Sequence, residues 1–119
     1  MSASRDIKIQ HGVQLKPFNS FGIAARGAKV LHLDDPQVLA RLSFDAQRDL
    51  VLGGGSNVLL ADDIAGQVLH VKIRERSLKK RADGSVRVRL GAGENWHEAV
   101  RWTLEQGLCG LENLSLIPG

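Results

Sequence analysis

Among its 119 residues the chain has one cysteine, Cys109. That excludes an internal disulfide and leaves no companion for a structural zinc site. Cys109 therefore reads as a small buried apolar residue. Long apolar runs are missing as well. No stretch approaches the about 18–20 apolar residues that a membrane span requires. The amino-terminal Met1-Ser2-Ala3-Ser4-Arg5-Asp6 lacks the apolar core of a secretory signal. These absences point to the cytoplasm, with no membrane partner. Aromatic residues are absent between Lys72 and Arg81, although six of those ten residues are Lys or Arg. A basic run without rings to stack on bases reads as a solvated hairpin arm rather than a nucleic-acid surface. Internal repeats and low-complexity tracts are absent too.

What is present is ordinary in bulk: 43% hydrophobic and 24% charged residues, with a net charge of +3. That is the composition of a soluble globular domain, or of a piece of a larger one. Residues 1–14 read as a polar, frayed leader. A loop follows, Asn19-Ser20-Phe21-Gly22-Ile23, expected to anchor the rings of Phe18 and Phe21. Ala28 to Leu33 reads as a first strand. Asp35-Pro36 is a helix start, with Val38, Leu39, Leu42 and Ala46 on one inward face. Leu50 to Leu52 is a second strand, and strand–helix–strand order favours a parallel pair. Val58 to Leu60 continues the apolar run, and Val68 to Ile73 is a further strand. Asp83-Gly84 marks a hairpin turn before the alternating strand Val86, Val88, Leu90. Asn95 then caps a second helix, with Glu98 in capping-box position. Trp96, Ala99, Val100, Thr103 and Leu104 line its inner face, and Gly107 stops it.

The densest signal is Leu50-Val51-Leu52-Gly53-Gly54-Gly55-Ser56-Asn57-Val58-Leu59-Leu60. A buried strand ending in three glycines can turn its backbone N–H groups toward a common point, which suits phosphate oxygens. The common fingerprints do not apply. No lysine occurs between Lys29 and Lys72, which excludes a P-loop. Val58 stands where a Rossmann fingerprint beginning at Gly53 wants glycine. On spacing alone, a tight turn between core strands and a phosphate cradle fit equally well. Gly91-Ala92-Gly93, taken alone, reads as close packing at a strand end. His97 reads as a surface histidine. His11, His32 and His70 share no metal-ligand spacing, and Glu94, Glu98, Glu105 and Glu112 form no acid–base pair.

Four segments taken together carry a resemblance. They are Asn19 to Ile23, Leu52 to Leu59, Gly91 to His97, and Gly110-Leu111-Glu112-Asn113-Leu114-Ser115-Leu116-Ile117-Pro118-Gly119. Their order and spacing resemble those of the UDP-N-acetylenolpyruvoylglucosamine reductase family, over nearly the whole chain after about residue 15. The resemblance implies an α+β fold, a two-part FAD-binding domain. Its first α/β subdomain (15–74) would be complete and its second (75–119) only begun. It also implies that Gly53, Gly54, Gly55, Ser56 and Asn57 donate to the FAD pyrophosphate, Ser56 and Asn57 through their side chains. Val58 and Leu59 would lie beside the cofactor, and Ile117, Pro118 and Gly119 would approach the flavin.

The activity implied is reduction of UDP-N-acetylglucosamine enolpyruvate to UDP-N-acetylmuramate, with NADPH as hydride donor. The family's catalytic arginine, serine and glutamate belong to regions beyond Ile117-Pro118-Gly119. The expectation is therefore an amino-terminal fragment without catalytic residues, inactive by itself and weak in FAD binding. Two other readings stay open at this point. One is another flavoprotein of the same broad fold; the other is a small basic module that uses Lys72–Arg81 on a polyanion.

Overall fold

The computed structural model describes residues 6–117. Strands β1 (Lys8–Gln14), β2 (Arg26–Leu33), β3 (Leu50–Leu52) and β4 (Ile64–Val71) form one sheet in the order β1-β2-β4-β3. β1 runs antiparallel to β2, whereas β2 and β3 both run parallel to β4. The two strands expected to pair, β2 and β3, run in the same direction but are not neighbours: β4, which follows both in sequence, lies between them and pairs in parallel with each. β5 (Arg76–Lys80) and β6 (Val86–Leu90) form a separate antiparallel hairpin, followed by the helix α1 (Trp96–Glu105).

Alternation along β2 and β4 gives the first sheet two covered faces. Val30 and Val68 point into a core with Leu15, Ala25, Leu52 and Leu60, joined at its edge by Phe18 and Val58. Leu31, Leu33 and Leu69 face the other way and meet Val38. Val38 is the one buried residue of the 3₁₀ segment Pro36–Arg41.

Several expectations change here. Residues 8–14 are not a frayed leader but the edge strand β1. Its residues are mostly exposed, so composition marked it as polar while backbone pairing to β2 orders it. The segment after Asp35 is one short 3₁₀ stretch, not a long amphipathic helix. Asp35 does cap it, accepting from the Gln37 N–H at 2.9 Å. Leu39 and Ala46 are exposed because that face meets no second layer. Val58 to Leu60 is loop rather than strand, and β4 starts earlier and stops earlier than the apolar pattern suggested. Phe18 is packed, but Phe21 is 60% exposed.

The carboxy-terminal part follows the sequence more closely. Asn95 accepts from the Glu98 N–H at 3.0 Å, and Ala99, Val100 and Thr103 are buried on α1. The Glu98 carboxylate turns instead to Arg76, 3.7 Å away, which also reaches Glu94 at 3.0 Å. The Arg76 guanidinium lies 5.9 Å from the centre of the Trp102 ring, so this residue ties β5 to α1 by charge and by cation–π contact. Leu104 and Cys109 are both exposed, against expectation. Cys109 follows the end of α1 and borders an open apolar groove of about 720 Å³ between β6 and the helix.

Candidate functional site

The glycine turn leaves β3 at the carboxyl end of the parallel strands, the end at which open α/β sheets usually receive ligands. Its three glycines do different things. A Cβ at Gly53 would meet nothing within 4 Å, so that stretch of backbone is bare toward solvent. Gly54 is exposed. Gly55 is buried with φ +70°, and a Cβ there would overlap the Phe18 carbonyl oxygen.

The Asn19-Ser20 segment braces this turn. Asn19 is buried; its Nδ2 donates to the Leu15 and Ile23 carbonyls at 2.8 and 3.1 Å, and its Oδ1 accepts from the Ile23 N–H at 2.9 Å. Ser20 then donates from its N–H and its Oγ to the Gly55 carbonyl, at 2.9 and 3.3 Å. A polar residue buried with every group satisfied gives a rigid loop. The Asn-Ser-Phe-Gly-Ile motif is thus a support for the glycine turn.

Facing the turn is Gly91-Ala92-Gly93. The Gly91 N–H donates to the Glu75 carbonyl and the Gly93 N–H to the Ile73 carbonyl, at 2.9 and 2.7 Å. A Cβ on Gly93 would overlap the backbone of Lys72 and Ile73. These two bonds hold the 73–75 strap against the start of α1. At that helix start, Trp96 Nε1 donates to the Leu114 carbonyl at 2.7 Å, and His97 Nδ1 lies 2.7 Å from Ser115 Oγ. Two adjacent residues of α1 therefore clamp two adjacent residues of the carboxy-terminal segment. Leu116 follows at φ +64°, in the left-handed region that a leucine rarely adopts.

Between these two walls lies a cleft of about 420 Å³, bordered by Gly54, Ser56, Arg74, Gly93, His97 and Ile117. Of the residues singled out from the sequence, it unites Gly54, Ser56 and Ile117. Gly53 stands next to it in the open turn, and Gly55 supports it from beneath. Asn57 is exposed outside it, Val58 packs into the first core, and Leu59 is 75% exposed and does not line it. Pro118 and Gly119 lie outside the described residues. Sequence reasoning missed Arg74, hidden in the basic run, and took His97 for a surface residue. The one available signal for His97 was its place just after a helix cap.

A second cluster was not legible from spacing. His32 on β2 and His70 on β4 are register partners, and their Nδ1 atoms lie 2.9 Å apart. His32 Nε2 is 2.8 Å from the Gln10 Oε1 acceptor, so His32 carries its proton on Nε2 and its Nδ1 accepts from His70. The Phe18 ring stands edge-on to His70, 5.1 Å between centres. Both histidines are held below the ordinary value of 6.5, first by burial; Lys72 and Lys8 add to this at His32, and His32 and Lys72 at His70.

A lowered folded pKa means that the unfolded chain binds more protons just below pH 6.5. Stability contributed by the neutral pair is complete above that value. It is lost as the pH falls from 6.5 toward the folded-state pKa values. Thermal midpoints measured from pH 7.5 to 5 should drop across this window, and His32→Gln with His70→Gln should flatten that drop. An equal slope in the double variant would contradict the assignment. The flanking lysines also oppose a bound cation, and among the described residues no group of three or more His, Cys, Asp or Glu could hold a metal.

A sequence profile described as "FAD binding domain" matches residues 34–119, which is most of the chain. The chain belongs to this FAD-binding domain family. The FAD-binding domain is 46% identical to the UDP-N-acetylenolpyruvoylglucosamine reductase of Azoarcus sp. (strain BH72), over 100% of this chain and 37% of that protein. It is 47% identical to the reductase of the same name from Pseudomonas putida and 49% to that of Pseudomonas fluorescens. In each case 95% of this chain and 34% of the relative are covered. The chain thus spans about a third of the length of these curated relatives. Its structure resembles the crystal structure of the Thermus caldophilus UDP-N-acetylenolpyruvylglucosamine reductase, with a TM-score of 0.70 and 22% identity. That match covers 95% of this chain and 39% of the other. At that identity the likeness establishes the α+β fold.

FAD is the cofactor of this family, and the cleft fits the diphosphate portion of such a molecule. The turn offers bare backbone at Gly53 and Gly54, and the one carboxylate among the described residues at the rim, Glu94, is neutralised by Arg76.

Proposed function

We propose that these residues form the diphosphate-holding part of a cytoplasmic UDP-N-acetylenolpyruvoylglucosamine reductase. The enzyme would reduce UDP-N-acetylglucosamine enolpyruvate to UDP-N-acetylmuramate with NADPH, a step of peptidoglycan synthesis. The observation that carries this reading is the braced glycine turn opposed across a cleft by Gly93 and Ile117, in a chain 46–49% identical to reductases of that name. In this reading Gly53 to Asn57 hold the diphosphate by N–H and side-chain donors. The clamp from Trp96 and His97 on Leu114 and Ser115 sets the segment that carries Ile117 toward the flavin. FAD, when bound, supplies hydride acceptance and donation. The arginine, serine and glutamate that would polarise and protonate the substrate are not assigned to this chain.

The test joins residues 1–119 in frame to the remaining two thirds of the Pseudomonas putida relative. That protein should copurify with FAD and oxidise NADPH only when UDP-N-acetylglucosamine enolpyruvate is added. Residues 1–119 alone should give no turnover. A correctly folded fusion that retains no flavin would overturn the reading.

A further inference from the structure

The strap between β4 and β5 leads into β5 through three consecutive charged residues, Arg74, Glu75 and Arg76, and two of them are committed. Glu75 lies 3.8 Å from Arg89, and Arg76 holds Glu94 and Glu98 at 3.0 and 3.7 Å. Arg74 makes no ion pair or side-chain hydrogen bond among the described residues, yet it borders the cleft together with Gly54, Ser56 and Gly93. Its position is not that of a waving surface arginine. The carbonyls on either side of it, Ile73 and Glu75, are fixed by the Gly93 and Gly91 N–H groups at 2.7 and 2.9 Å. The base of the side chain is thereby pinned at the cleft wall.

We infer that Arg74 is the counter-charge for a dinucleotide diphosphate held by the Gly53–Ser56 turn, and that it makes the site prefer a diphosphate-bridged ligand over a phosphate-free flavin. The inference rests on the proposed location of the FAD diphosphate and goes beyond it. Backbone N–H groups offer directed hydrogen bonds but no net charge. A diphosphate bridge brings two negative charges into a partly enclosed cleft. A guanidinium supplies both charge and a planar fork of donors that matches phosphate oxygens. Glu94, which would repel such a ligand, is already paired with Arg76. His97, which also borders the cleft, is engaged with Ser115 through Nδ1. Arg74 is thus the cationic side chain at the cleft that its surroundings leave uncommitted.

The experiment titrates FAD, ADP and riboflavin, each to millimolar concentration, onto ¹⁵N-labelled residues 1–119 and the Arg74→Gln and Arg74→Lys variants. Amide shifts read even weak binding residue by residue. FAD and ADP should shift the Gly53, Gly54, Ser56 and Gly93 amides of the parent, and riboflavin should shift them little. Arg74→Gln should weaken FAD and ADP at least about tenfold and remove most of the salt dependence of binding. Arg74→Lys should restore the salt dependence and part of the affinity. Because Arg74 is exposed and unpaired, thermal unfolding of both variants should match the parent. If Arg74→Gln binds FAD as the parent does, at the same turn, the inference fails while the diphosphate reading stands. If FAD shifts no turn amide in the parent, the diphosphate reading fails and takes this inference with it.

Discussion

Replacing Gly55 with alanine should lower the unfolding free energy by about 3 kcal/mol or more, read as a shift in the urea midpoint. Two costs add. A residue with a Cβ is strained at φ +70°, and the new methyl would overlap the Phe18 carbonyl oxygen. Neither partner can yield cheaply. Phe18 packs against the first core and against His70, and Asn19 is held by three hydrogen bonds of its own. Relief would require moving the turn and so losing the Ser20 bonds to Gly55. Gly53→Ala is the control. Its Cβ meets open space, so the change should stay within about 1 kcal/mol. Equal midpoints for the two variants would show that Gly55 is not what seats the turn.

Gly93→Ala should have the next largest effect, about 3 kcal/mol. A Cβ there would overlap the backbone at Lys72 and Ile73, and main chain cannot swing aside as a long side chain can. The strap from Ile73 to Glu75 would separate from the Gly91–Gly93 loop, breaking the bonds to Ile73 and Glu75. The cleft wall formed by Arg74 and the Gly91–Gly93 loop would then shift. The near-ultraviolet signal is a direct reporter, because both tryptophans, Trp96 and Trp102, lie on α1. Loss of that signal together with a lowered urea midpoint is the expected result. An unchanged midpoint would mean that the loop and the strap are not in close contact.

Both variants bear on how much the sequence reveals. The glycines were visible, and so was the sense that such runs bring backbones close to something. What each glycine approaches was not visible. Gly55 and Phe18 are 37 positions apart in the chain, and Gly93 meets a strap about 20 positions earlier. Local patterns carry no record of such distant neighbours. The same reason explains His32 and His70, which become partners only through parallel register on β2 and β4. It also explains β1, a polar segment ordered by main-chain pairing that side-chain pattern does not encode.

Errors of the opposite kind arose where a local pattern lacked a tertiary partner. The spacing of Val38, Leu39, Leu42 and Ala46 suits a helix, but only Val38 is buried, and the helical segment ends at Arg41. Without a layer to bury the remaining apolar face, propensity alone does not sustain a longer helix. Cys109 likewise has the chemistry of a buried residue and an exposed position, since nothing among the described residues covers the groove beside it.

By itself, then, the sequence determined the elements whose signals are short-ranged. These are the alternating strands, the Asp35 and Asn95 caps, the hairpin at Asp83-Gly84, and the glycine-rich turn after β3. Its four motifs in series also pointed to the flavin-binding family to which the chain belongs. Only the tertiary structure decided which glycine is open and which is packed, that Arg74 and His97 share a cleft with Gly54 and Ser56, and that two distant histidines touch. Capping and alternation depend on residues a few positions apart. A binding cleft depends on contacts across the fold, and those exist only once the backbone has closed on itself.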